Sequence, residues 1–87
     1  MSFDKITAFT SENCIHCRQL KKWLAKHSLD FENKDIQVVE NHEQLRAMGH
    51  NFIPIILLSN SSEPKDSLEI RGFDKQKLKQ VLNIIED

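Results

Sequence analysis

Hydrophobic and polar positions change their spacing several times along this chain, and each change marks an element. Phe3 to Phe9 mixes aromatic and β-branched residues and predicts a strand. Thr10-Ser11-Glu12-Asn13 is turn chemistry. From Cys14 to His27 the apolar positions Cys17, Leu20, Trp23 and Leu24 recur at helical spacing, with Arg18, Gln19, Lys21, Lys22 and Lys26 on the other face. Asn13 is the expected N-cap of that helix. Ser28-Leu29-Asp30 breaks the pattern, and Phe31 to Val38 reads as a second extended segment. Asn41 to Met48 is a short helix with His42, Leu45 and Met48 on one side and Gly49 as its C-terminal stop. The most apolar run, Phe52-Ile53-Pro54-Ile55-Ile56-Leu57-Leu58, suits a strand buried on both faces. Ser59 to Asp66 is loop-rich and lies between two apolar segments, so it reads as a hairpin connection. Leu68 to Arg71 forms the next strand and Gly72 turns the chain. Asp74 then caps a last helix with the stripe Leu78, Val81, Leu82 and Ile85.

The order β-α-β-α-β-β-α predicts an α/β fold. Its β-α-β half implies a right-handed crossover between parallel strands, and its second half an antiparallel hairpin. A four-stranded mixed sheet with helices on both faces follows. No repeat or linker interrupts the 87 residues, so residues 1–87 are expected to be a single domain. An apolar fraction of 39% and a charged fraction of 29% suit a soluble globular chain. A net charge of −1 gives no footprint for nucleic acid or an anionic membrane. No run approaches the roughly 20 apolar residues of a membrane span. The start Met1-Ser2-Phe3-Asp4-Lys5 lacks a signal-peptide pattern, so a cytoplasmic location is expected; the chain is also expected to be a monomer.

The candidate chemistry lies in Cys14 and Cys17, the only two cysteines. They are too few for a disulfide framework or a four-cysteine zinc site. Cys14 opens the first helix, where unpaired N–H groups carry positive partial charge and favour a thiolate. Cys17, three residues on, shares its face and can attack a mixed disulfide formed at Cys14. Lowering a thiol pKa from about 8.5 to about 6 raises the thiolate fraction at pH 7 roughly 30-fold. Intrinsic nucleophilicity falls roughly 10-fold over the same shift, so the net gain in attack rate is only a few-fold. The larger effects are on Cys14 as a leaving group and on redox poise. His16, between the two, would stabilise the thiolate as a cation, or it is simply a solvated side chain. A metal site is not expected: adjacent His16 and Cys17 converge poorly on one ion, and His27, His42 and His50 are scattered and read as surface residues. Arg18 stands where haem attachment needs histidine. A C-x-x-C pair that follows a strand and opens a helix in a βαβ unit is the context that favours redox chemistry.

The chain resembles the glutaredoxin family of thioredoxin-fold proteins over nearly its whole length. The residues that carry the resemblance are Phe9-Thr10, Cys14-Ile15-His16-Cys17, Ile53-Pro54 and Gly72-Phe73-Asp74. It implies a sheet ordered second strand, first, third, fourth, and a cis bond before Pro54 with that proline facing the sulfurs. It also implies that the Ile53 backbone meets the substrate peptide or glutathione. Dithiol glutaredoxins usually carry Pro-Tyr between the cysteines, a lysine three residues before the first, and Gly-Gly before the last helix. Here those places hold Ile15-His16, Ser11 and Arg71-Gly72. Asp74 matches an aspartate that binds the glutathione amine in that family, and it equally reads as a helix cap. The NrdH-redoxin branch shares Gly72-Phe73, a non-proline residue after the first cysteine, and a basic residue at Lys21. That branch usually has Trp-Ser before Gly-Phe and Arg-Pro after it, where this chain has Ile70-Arg71 and Asp74. The helix Cys17 to Leu24 is also similar to that of arsenate-reductase-like proteins, whose extra helical insertion has no room here.

The resemblance implies a dithiol–disulfide oxidoreductase that holds no cofactor. It would pass electrons to a protein disulfide, ribonucleotide reductase being one such substrate in the NrdH branch. Electrons would come from a thioredoxin-reductase-type flavoprotein or from glutathione. Cys14 and Cys17 are the expected catalytic residues, His16 the tuning residue, and Ile53, Pro54, Gly72, Phe73 and Asp74 the substrate contacts. A glutathione-dependent glutaredoxin and a non-catalytic binding module of the same fold are the alternatives.

Overall fold

The computed structural model describes residues 3–60 and 67–84. Ile85 and most of the expected hairpin connection lie outside these residues. The elements run β1 (Lys5–Thr10), α1 (Ile15–Lys26), β2 (Glu32–Asp35), α2 (Val39–Ala47), β3 (Ile55–Ser59), β4 (Ser67–Arg71) and α3 (Lys75–Leu82). β1 pairs in parallel with β2 and antiparallel with β3, β3 pairs antiparallel with β4, and the sheet order is β2-β1-β3-β4. This is the α/β architecture and strand order that the sequence and its resemblance lead one to expect.

Register explains why the sheet is buried on both sides. Side chains alternate across a strand, so one row joins Ala8, Ile56 and Ile70 and the next joins Ile6, Leu58 and Leu68. These rows pack with Leu20, Trp23 and Leu24 of α1 and Leu78 of α3. On the opposite face Phe9 and Ile55 pack with Leu45 of α2. α1 and α3 therefore share one face and α2 covers the other. The buried positions of α1 are Cys17, Leu20, Trp23 and Leu24, the four that the spacing singles out.

Element boundaries move where local hydrogen bonds compete with the pattern. β2 stops at Asp35, because its carboxylate accepts the Gln37 N–H at 2.9 Å and turns the chain. Its carbonyl accepts from Asn41 Nδ2 at 3.0 Å, so α2 starts at Val39 and Asn41 lies inside it. Leu45 of α2 is buried and Met48 partly so, but His42 is exposed. Gly49 (φ +87°) ends α2 in the left-handed conformation that glycine tolerates. β3 begins at Ile55, after Pro54, which has no N–H to give a ladder. His50 is not a surface residue. It is 6% exposed, with Nε2 2.7 Å from Glu69 Oε2 on β4, a partner that no local pattern announces. Among the described residues no helix is long and apolar enough to cross a membrane.

Leu24 is fully buried between α1 and the sheet. Leu24→Ala should cost about 2–5 kcal/mol of unfolding free energy in urea titrations. The exposed Glu43→Ala on α2 should stay within about 0.5 kcal/mol of wild type. Equal effects would mean that α1 is not clamped to the sheet as described.

Candidate active site

The end of β1 delivers the chain to a three-residue turn, and that turn delivers it to α1. Thr10 is fully buried and its hydroxyl donates to Asn33 Oδ1 on β2, which ties the strand end down. The Cys14 N–H donates to the Ser11 carbonyl at 3.3 Å, and Arg18 Nε donates to the Glu12 carbonyl at 3.2 Å. The N-cap is Cys14, not Asn13. Cys14 has extended backbone angles (φ −101°, ψ 116°) and its Sγ accepts the Cys17 N–H at 3.1 Å. A sulfur thus fills the place that a serine or aspartate oxygen takes in most helices. Asn13 is exposed and one residue too early.

The two free thiols are not equivalent. Cys14 is partly exposed and Cys17 fully buried. Burial first, and then the adjacent Cys14 sulfur, push the Cys17 thiol up from 9.0 to about 12, against smaller opposing effects of the Ser11 backbone and the Lys21 charge. Cys17 therefore holds its proton at neutral pH. The sign for stability follows: above about pH 9 the unfolded chain ionises at Cys17 before the folded chain does, so folding stability falls as pH rises further.

The other expected site residues gather beside α1. The Ile53–Pro54 bond is cis, and Pro54 is buried. The Gly72 N–H donates to the Pro54 carbonyl at 2.8 Å, and Gly72 has φ +74°, so β4 turns against the proline. Asp74 is the N-cap of α3: its Oδ1 accepts the Lys77 N–H at 3.1 Å. His16, Ile53, Pro54, Gly72, Phe73 and Asp74 border one open groove of about 490 Å³. Arg71 and Lys75 add positive charge to it. Arg71 stands at the Gly-Gly position that the comparison with glutaredoxins already sets beside the substrate; Lys75, one residue past the capping Asp74, is a lining residue not expected from the sequence. Ile15, at the helix start, is 66% exposed. Among the described residues no group of three or more His, Cys, Asp or Glu is placed to hold a metal ion.

This asymmetry has a direct chemical readout. Iodoacetamide at pH 8 should add one label to the reduced protein, at Cys14, with Cys17 labelled only in denaturant. Mass spectrometry of the digested protein reports the sites. Comparable labelling of both in the folded state would contradict the burial and raised pKa of Cys17.

A scan against models of known protein families returns no match. Individual relatives are clear. The chain is 29% identical over 77 residues to a glutaredoxin-like protein NrdH from Lactococcus lactis, covering 87% of this chain and 97% of the relative. It is 30% identical over 59 residues to the NrdH protein of Escherichia coli, covering 67% of this chain and 73% of the relative. The solved structure of NrdH-redoxin from Escherichia coli, described as glutaredoxin-like with a thioredoxin-like activity profile, superposes with a TM-score of 0.72. That pair is 26% identical, with 88% of this chain and 93% of the other covered. With the thioredoxin-type sheet, the Cys14–Cys17 pair at the start of α1 and these relatives in view, the chain belongs to the glutaredoxin-like NrdH family of thiol–disulfide redox proteins.

Proposed function

We propose that this protein is a dithiol reductant of protein disulfides. The observation that carries the reading is the unequal pair: a partly exposed Cys14 sulfur fed by the Cys17 N–H, with a protonated Cys17 thiol buried behind it. The Cys14 thiolate attacks one sulfur of the substrate disulfide. A Cys14–substrate disulfide forms, and the other substrate sulfur leaves as a thiolate. That thiolate, or water, takes the Cys17 proton. Once Cys14 is in the mixed disulfide, its charge no longer opposes ionisation of Cys17, so one of the causes of the raised pKa disappears. The Cys17 thiolate then attacks the Cys14 sulfur, the second substrate sulfur leaves, and a Cys14–Cys17 disulfide remains. Two electrons have passed to the substrate.

The groove supports a polypeptide substrate. Ile53 makes no hydrogen bond to another described residue, so its backbone can pair with an extended chain laid along the groove. His16, exposed at the second position of α1, is the proposed tuning residue. For the electron source, Ser11 offers no charge for a glutathione carboxylate, and Asp74 already accepts from the Lys77 N–H. Phe73 adds apolar surface suited to a protein donor. A thioredoxin-reductase-type flavoprotein is thus the proposed donor, in keeping with the thioredoxin-like activity profile ascribed to NrdH-redoxin from Escherichia coli. Arg71 and Lys75 favour the second reading, in which the anionic tripeptide glutathione occupies the groove. Ribonucleotide reductase, the substrate that the resemblance to the NrdH-redoxin branch implies, belongs to the same proposal.

Cys17→Ser should accumulate a mixed disulfide with substrate through Cys14, and Cys14→Ser should form none, as read by non-reducing gels and mass spectrometry. A stable adduct through Cys17 would reverse the roles.

The donor is tested by following turnover of one model disulfide with each reducing system at equal protein concentration. Turnover is expected with the cognate thioredoxin reductase and NADPH. Efficient turnover with glutathione and its reductase alone would favour the second reading.

A further inference from the structure

The net charge of −1 conceals a strong segregation of sign. α1 carries Arg18, Lys21, Lys22 and Lys26, α3 carries Lys75, Lys77 and Lys79, and neither helix contains an aspartate or glutamate. The chain as a whole has 12 basic and 13 acidic residues, so the acidic ones are concentrated elsewhere. Both helices pack on the same face of the sheet, which makes that face a basic layer. Between α1 and the start of α3 lies a second groove of about 430 Å³, bordered by Gln19, Lys22, Trp23, Lys26, Phe73 and Lys75. Trp23 is 5% exposed and forms part of its floor. Its ring meets that of Phe73 edge-on, with centroids 6.2 Å apart. Phe73 and Lys75 also border the groove beside Pro54, so the two depressions share a rim.

We infer that the lysine-rimmed aromatic groove between α1 and α3 docks an acidic segment of the protein whose disulfide is being reduced. The inference rests on the dithiol-reductant reading and adds the class of substrate to it. Position and charge argue for a polypeptide. A substrate laid along the groove that His16, Pro54 and Phe73 border meets the shared rim where it continues past Phe73 and Lys75. There, aspartate or glutamate side chains face Lys22, Lys26 and Lys75, and an apolar side chain can lie on Trp23 and Phe73. The groove is short and walled by aromatic rings, which fits a few residues of peptide better than a nucleic-acid backbone. Exposed charge pairs are individually weak, but a basic layer of this extent raises the encounter rate at low salt and loses that effect as salt screens it.

The experiment uses pre-reduced protein without any reductase, so that the electron donor does not enter. Three disulfide-bridged peptides of equal length, with acidic, neutral and basic flanks, are mixed with it under single-turnover conditions. The acidic peptide should react about 5- to 10-fold faster than the neutral one at low salt, and that ratio should shrink towards one at high salt. Lys22→Glu combined with Lys26→Glu should abolish the ratio. Both side chains are exposed, and thermal unfolding verifies that the variant is folded. Lys34→Glu combined with Arg46→Glu makes the same charge change on the sheet face covered by α2 and should preserve it. Equal rates for acidic and neutral peptides, or a preference that survives Lys22→Glu/Lys26→Glu, overturn the inference while leaving the reductant reading intact. Reduction of none of the peptides defeats both. Tight binding of a labelled single-stranded oligonucleotide, with no preference among the peptides, would assign the basic face to nucleic acid and overturn the inference.

Discussion

A helix that begins without acceptors for its first N–H groups needs one, and here the acceptor is a sulfur. The Cys14 Sγ receives the Cys17 N–H, so the residue that caps α1 is also the residue proposed to react. The same contact fixes the orientation of Cys14, and the helix turn that follows carries Cys17 into the core. Everything else in the site serves that junction. Thr10 and Asn33 secure the strand before it, Arg18 holds the turn, and the Gly72–Pro54 bond closes the facing wall. A serine at position 14 would cap the helix equally well and have no redox chemistry, so the fold tolerates more at this position than the proposed function does.

The frame of this fold was legible in the sequence because its buried positions follow simple periods. Leu20, Trp23 and Leu24 recur as a helix face must, and Ile55 to Leu58 form an apolar run as a central strand must. The pair Cys14–Cys17 was legible from its spacing at the start of a helix that follows a strand, and the cis bond at Ile53–Pro54 from resemblance. What escaped depends on contacts between residues far apart in the chain. His50 carries no local signal of burial, yet it is buried, with its side-chain partner, Glu69, 19 residues later on β4. The boundary between β2 and α2 was set by Asp35, whose side chain and carbonyl both capture local donors.

Charge was the least legible property. Summed over the chain it is close to neutral, and a sum discards position. Folding places α1 and α3 side by side on one sheet face, and with them every lysine and arginine of both helices. Each basic helix is visible in its own stretch of sequence, but their juxtaposition on one sheet face belongs to the tertiary structure.

The outer strand β2 reads Glu-Asn-Lys-Asp and buries none of its four residues fully. It pairs with β1 through Thr7 to Thr10, and its outer side faces away from the sheet. A further strand arriving there from another molecule would have to crowd two carboxylates and an ammonium group against its own backbone. Polar margins of this kind stop sheets from growing. The backbone pairing proposed near Pro54 would thus have no counterpart along β2.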